Sequence, residues 1–337
     1  MADPGRRVST GSLPSAIVVG DLIAEAHERF RDVTDGMPSG IYPALQRADP
    51  GLFGISVAGV AGEVVSTGDA ATSFPIMSVA KPFTFALVCD AIGHGRAMEL
   101  LGSNATGQPF NSVEAVERAP RGKTNPLVNS GAIATIDLVA GPNHAARWDT
   151  VLAGLSRFAG RNLVLDIETY ESAARSNDRN RALAHLLESL GALSQDPEET
   201  VDLYTRQSCL AVTAQDLAIM GATLADGGVN PKTARRVVSA ESCRYALTVM
   251  TTAGLYETSG DWLYRVGLPG KSGIVGGIVT VSPGKGGLGT YSPPLDAAGN
   301  SVRGQLVAAH LSSRLGLDIF ASAAHREPLG QDERPPT

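Results

Sequence analysis

Ser78-Val79-Ala80-Lys81 sets a hydroxyl and an amine three residues apart, just ahead of the apolar run Phe83 to Ile92. Residues three apart share one face of a helix, so the amine can reach the hydroxyl. A lysine beside a serine can replace histidine as the base that makes the serine nucleophilic. Such a lysine must be neutral, and burial or a second cation lowers its pKa toward that state. Backbone N–H groups at the helix start would face whatever Ser78 attacks. Pro82 falls in the first turn, where a missing N–H costs little. The same spacing recurs at Ser282-Pro283-Gly284-Lys285, which Pro and Gly mark as a turn. A serine at a helix start also serves as an N-cap, so the motif needs support from elsewhere in the chain.

Lys271-Ser272-Gly273 supplies some of it. The triplet precedes a β-branched run and is close to the K-T-G that accompanies S-x-x-K in penicillin-recognising enzymes. A strand edge there would aim the Ile274 backbone N–H at Ser78. With the N–H of Ser78 it would form a two-donor oxyanion hole. Taken alone, the triplet is also an ordinary solvated strand start. Two glycine patterns carry no such chemistry. Gly284-Lys285-Gly286-Gly287-Leu288-Gly289 fits G-x-G-x-x-G but opens no helix, and a hairpin turn is expected there. Gly270-Lys271-Ser272 ends like a phosphate loop, yet Arg265 stands where its first glycine must be.

The elements that must position these residues follow from the rest of the chain. Its 337 residues, 43% hydrophobic and 18% charged, suit a globular protein with a sizeable core. A formal net charge of −6 argues against nucleic acid as the main partner. No apolar run is long enough to span a membrane, and Met1 to Ser15 lacks the apolar core of a signal peptide. A cytoplasmic location is expected. Cys89, Cys209 and Cys243 are too few and too scattered for a disulfide framework or a zinc site, and read as buried free thiols. No two of the six histidines have metal-ligand spacing.

Ile17 to Phe30 has helical periodicity. Leu52 to Val60 and Glu63 to Thr67 read as two strands joined at Ala61-Gly62. From Lys81 to Ala253 the chain reads as helical, with a capping box at Thr213-Ala214-Gln215-Asp216. Ile278 to Val281 and Leu288 to Tyr291 form a second hairpin, and Arg303 to Leu315 a closing helix. The expected fold is α+β, with an antiparallel sheet built from both chain ends, flanked by helices, and an all-helical domain inserted. The boundaries expected are residues 15–80 and 254–322 for the sheet subdomain and 81–253 for the helical one. Residues 1–14 and 323–337 are expected to be disordered. The site would lie in the cleft between the subdomains.

Several segments, taken in order, resemble the serine-dependent glutaminases, whose fold is like that of the serine β-lactamases. They include Ser66-Thr67-Gly68-Asp69, Ser78-Val79-Ala80-Lys81-Pro82, Asn125 to Ile133 and Asp178-Arg179-Asn180-Arg181-Ala182. Asp202-Leu203-Tyr204, Gly254-Leu255-Tyr256, Arg265 to Gly273, Ser292 to Asp296 and Gly299-Asn300-Ser301 complete the set. The resemblance spans roughly residues 37 to 315. It implies that Ser78 attacks the side-chain carboxamide of L-glutamine and forms a glutamyl ester. Lys81 would take the serine proton, helped by Tyr256, and the pair would then serve ammonia release and deacylation. Asn129, Asn180, Tyr204 and Tyr256 would hold the substrate, and Ile274 would give its backbone N–H to the oxyanion. It implies no metal or cofactor, and a homodimer or homotetramer. Each residue taken singly has a plainer role: capping for Asn129 and Asn180, core packing for Tyr204 and Tyr256.

Three positions depart from the family pattern. Ile41-Tyr42-Pro43 stands where the family has Tyr-Ile-Pro, and a one-place shift turns a side chain to the other face of an extended segment. Met77 stands where glutamine usually precedes the nucleophile. Ala173 replaces the glutamate, seven places before Asn180, that receives the α-ammonium of glutamine; Glu171 could substitute only if its loop shifted. A lost charge-assisted hydrogen bond is worth about 1.5–3 kcal/mol. The readings open at this point are a glutaminase, an amidohydrolase for a related amide without the usual α-ammonium contact, and a weakly active or non-catalytic binder. A penicillin-recognising enzyme is disfavoured by the lack of a clear S-x-N or Y-x-N middle motif.

Overall fold

The computed structural model describes residues 11–322. The expected unfolded ends fall mostly outside that range, at residues 1–10 and 323–337. Strands β1 (Gly54–Gly59), β2 (Val64–Gly68), β3 (Phe74–Pro75), β4 (Val164–Leu165), β5 (Leu210–Val212), β6 (Gly270–Ser272), β7 (Gly277–Ser282) and β8 (Gly286–Tyr291) form two sheets. The larger has the order β2-β1-β8-β7-β6. Every neighbouring pair in it is antiparallel, with Ile55 opposite Thr290 and Thr290 opposite Ile278. The sheet therefore joins strands from both ends of the sequence, and its middle is closed by long-range pairing of β1 with β8. A smaller sheet, β3-β5-β4, was not anticipated. Its strands are two or three residues long, too short for a periodicity to show. It ties the segment before Ser78 to the helical region, where β4 and β5 lie.

One face of the large sheet is covered by the helices Ala16–Phe30 and Val302–Leu315. Val19, Ile23, Ile55, Trp262, Ile278, Val307 and Leu311 form the core between them. The other face carries the helix Ala214–Ala225, opened by the capping box that the sequence announced. This helix lies unusually close. A Cβ on Gly289 would stand 2.1 Å from the Ala214 carbonyl oxygen, and one on Gly287 2.3 Å from that of Ala218. The glycine run that imitates a nucleotide motif is thus a hairpin whose alternate glycines admit a helix backbone. The remaining helices pack around a second, larger core that contains Ile76, Val79, Phe83, Leu127, Ile133 and Leu203. Ser78 stands on the seam between the two bodies of structure.

Gly289→Val should therefore lower stability by about 1–3 kcal/mol or more through overpacking, read as a lower urea midpoint. Gly95, with nothing within 4 Å of its added Cβ and inside the helix His94–Leu100, is the control: Gly95→Ala should be neutral or stabilising by up to about 1 kcal/mol.

Candidate active site

Ser78 lies in a single tight turn, Met77–Ala80, that runs directly into the helix Lys81–Ile92. Met77, just before it, has φ +50°. A non-glycine residue in this region costs of order 1–3 kcal/mol and persists only where the surroundings enforce it. Here they do. Ile76 N–H donates to Leu210 O at 2.8 Å, anchoring the turn to β5. Gly273, at the end of β6, lies against the other side. A Cβ there would meet Ile76 O at 3.1 Å and Val79 Cγ2 at 3.2 Å. The half-buried Ser78 hydroxyl is thereby presented to the cleft.

Lys81 opens the helix and is almost wholly buried, at 2% exposure. Its amine donates to Leu127 O at 3.2 Å and to Asn129 Oδ1 at 2.8 Å. Both acceptors are uncharged. Burial without a carboxylate partner pulls its pKa down to about 7. A neutral amine has two N–H donors and one lone pair, so the two hydrogen bonds use both donors and leave the lone pair for a proton. A second buried lysine lies nearby. Lys271 donates to Gly254 O at 2.8 Å and Ser272 O at 2.7 Å, again to carbonyls. Its pKa is held well below the usual lysine range, by burial first and by the charge of Lys81 second.

Tyr256 joins these groups. Its backbone is also left-handed, at φ +54°. Its hydroxyl donates to Ser272 O at 3.2 Å, and the Lys271 amine lies 4.4 Å from the ring centroid. Burial raises the phenol well above its ordinary pKa, and the nearby Ser78 hydroxyl offsets this only in part. Tyr256 is therefore a neutral hydroxyl against the serine, able to orient it and to relay a proton. Neither the Ser78 nor the Ile274 backbone N–H has an acceptor within the described chain. The two sit on the facing elements that Gly273 brings together, as the two-donor oxyanion hole requires.

A cavity of about 160 Å³ opens beside Ser78. Asn129, Asn180, Tyr204 and Ile274, all expected at the site, line it. Tyr256 and Lys81 stand behind Ser78 rather than in its wall. Asn129 and Asn180 do not cap their helices, whose preceding residues are Val128 and Asn177. Instead they form a chain of amides. Asn129 Oδ1 accepts from Lys81 and from Tyr204 Oη at 3.2 Å, and Asn129 Nδ2 donates to Asn180 Oδ1 at 3.0 Å. Asn180 Nδ2 donates to Asn177 Oδ1, and Asn177 Nδ2 to Thr205 Oγ1 at 2.7 Å. Tyr204 thus has a bonded hydroxyl as a packing tyrosine should, but the bond belongs to this polar chain.

Three of these features escaped sequence reasoning. Asn177 lines the cavity, one helical turn before Asn180, and that spacing was the available signal. Tyr42 also lines it, despite its displacement by one place, because residues 42–47 turn rather than extend. The Ala44 N–H donates to Ser172 Oγ at 3.3 Å and fastens that turn to the helix Ile167–Arg175. The third concerns Glu171, whose segment is this regular helix and not a shiftable loop. Two residues from Ala173, it lies roughly 200° round the axis. It is exposed and faces Arg175 at 3.8 Å, so it does not replace the missing carboxylate.

Similarity to known proteins agrees with this geometry. A family model described as Glutaminase matches residues 36–320. Glutaminase 2 of Yersinia pestis is 59% identical over 95% of this chain and 94% of its own length. A glutaminase of Colwellia psychrerythraea is 41% identical over 91% of this chain and 99% of its own. Among solved structures, the probable glutaminase ybaS aligns with a TM-score of 0.90 at 41% identity, covering 92% of this chain and 100% of that one. Mglu in its glutamate form aligns at 0.84 and 37% identity, over 92% and 71%.

The neutrality of Lys81 is directly measurable. Titration of its side chain by NMR should give a midpoint of about 7. Asn129→Asp would put a carboxylate where Asn129 Oδ1 now accepts, favour the ammonium form, and move the midpoint by a unit or more to the alkaline side.

Proposed function

This chain belongs to the glutaminase family and is an amidohydrolase, and we propose that it converts L-glutamine to L-glutamate and ammonia through an ester on Ser78. Ser78 Oγ attacks the side-chain carboxamide carbon as its proton passes to the Lys81 lone pair, oriented or relayed by Tyr256. The oxyanion is held by the N–H groups of Ser78 and Ile274. The C–N bond then breaks, and the nitrogen leaves as ammonia with the proton that Lys81 returns. Water attacks the ester from the vacated side, Lys81 takes its proton, and that proton goes back to Ser78 as the acid departs. Asn129, Asn180 and Tyr204 hold the polar groups of the substrate.

The observation that carries this reading is the buried Lys81 amine one turn from Ser78, with both its donors taken by uncharged oxygens. A relative, Mglu, has been solved in a glutamate form, and glutamate is the acid product expected here. Assembly as a homodimer or homotetramer belongs to the same reading by family resemblance. So does a cytoplasmic location, which the buried free thiols of Cys89, Cys209 and Cys243 suit. No described helix is long and apolar enough to cross a membrane.

Ammonia release from L-glutamine should fall by about 10⁴-fold or more in Ser78→Ala. Lys81→Arg, which keeps the cation but cannot give up its proton, should fall by about 10³-fold. Retained turnover in either variant would remove that residue from the mechanism. In the wild type, kcat/KM should decline tenfold per pH unit below about 7, because protonating Lys81 removes the base, and that limb should end just above 7.

A further inference from the structure

The cavity beside Ser78 has an unbalanced charge. Among the described residues, none that lines it is an aspartate or a glutamate, and Arg179 is the one formal cation. Arg179 spends its Nε–H on Asn111 O at 3.0 Å, leaving the outer guanidinium nitrogens at the mouth. The other titratable groups of the wall are neutral: burial holds Tyr42 and Cys209 up at about 12 and Tyr204 well above its usual range.

Five described carboxylates on the surrounding elements are engaged elsewhere. Glu171 faces Arg175 on the outer side of its helix. Asp166 caps that helix at Thr169. Asp202 receives Arg206, Tyr170 and His144. Asp178 pairs with Arg181, and Glu257 takes the Phe110 N–H. Where a carboxylate could stand, the wall has the methyl group of Ala173, 2% exposed.

An α-ammonium that enters this cavity loses hydration and meets dipoles and the Arg179 guanidinium, with no carboxylate among the described lining residues. An α-carboxylate meets Arg179. We propose that the site takes half-amides of linear dicarboxylic acids that lack an α-ammonium, with glutaramate as the simplest case, at least as well as it takes L-glutamine. This rests on the Ser78 amidohydrolase reading and specifies its substrate class. Ala173 is then a specificity-determining position, and the chemistry at Ser78 is unaffected by which acid is bound.

The test is ammonia release by the full-length protein from glutaramate and from L-glutamine. Both are assayed with wild type, Ser78→Ala and Ala173→Glu. The wild type should show a kcat/KM for glutaramate equal to or above that for L-glutamine. Ala173→Glu should shift the ratio toward L-glutamine by about ten- to a hundredfold, the value of one charge-assisted hydrogen bond. A second reading needs no variant, which covers the case in which the buried glutamate prevents folding. In the wild type, the L-glutamine to glutaramate ratio should climb as the α-ammonium of glutamine deprotonates at alkaline pH; titration of Lys81 affects both substrates and divides out. A preference for L-glutamine of more than tenfold at neutral pH, with Ser78→Ala inactive, would overturn the inference and leave the glutaminase reading standing. A ratio independent of pH would also count against it. Silence toward both amides would overturn the amidohydrolase reading and this inference together.

Discussion

The site depends on burying one amine so that charging it becomes costly. Lys81 is enclosed among carbonyl and amide oxygens, and a carboxylate in reach would settle it as a cation. Much of the surrounding structure can be read as maintaining that condition. Asparagine, not aspartate, accepts from it. Lys271, equally enclosed, meets carbonyls only, and burial together with the charge of Lys81 holds its pKa well below the usual range. Tyr204 and Tyr256 contribute hydroxyls that burial keeps un-ionised. The same exclusion of anions extends into the cavity wall, so the electrostatics that serve the base and those that would recognise a substrate are one system.

Local strain serves the same end. The two residues with left-handed backbone at the site, Met77 and Tyr256, flank the nucleophile in space from different parts of the chain. One turns the Ser78 hydroxyl into the cleft, and the other brings a phenol against it. The Met77 turn is held from outside by the pairing of Ile76 with Leu210 and by the close seat of Gly273, while the Tyr256 carbonyl accepts from Ser259 Oγ at 2.8 Å. The small β3-β5-β4 sheet has its importance here, since two- and three-residue strands add little stability but fix where the Ser78 turn begins.

The larger features of the fold were legible because they repeat. Helical periodicity marked residues 17–30, β-branched runs marked β7, and a capping box marked the helix at residue 214. The proposed nucleophile and base came from a spacing, and the proposed substrate-binding set from the resemblance to a family; the structure brings Asn129, Asn180, Tyr204 and Ile274 to one cavity beside Ser78. What sequence could not supply was whatever depends on meetings between distant segments. The amide chain through Asn177 and Thr205 joins two helices. Tyr42 reaches the cavity through a turn whose shape is set by Ser172. That Glu171 faces outward follows only once its segment is known to be a helix in contact with the site. The glycine run at residues 284–289 had a clear pattern, but its reason, a helix backbone laid on β8, is a tertiary fact.

That contact has a mechanical consequence. The helix Ala214–Ala225 belongs, in chain order, to the helical region, yet it rests on β8 backbone to backbone through Gly287 and Gly289. No layer of side chains lies between them to shear or to change rotamer. The two walls of the cleft are therefore clamped at their base like the jaws of a vice set to one width, and opening them would mean parting main chain from main chain. At the rim of the cavity, the turn bearing Tyr42 is fastened to the helix Ile167–Arg175 by the Ser172 hydroxyl and by the pair Arg47–Glu168, with Leu45 buried beneath it.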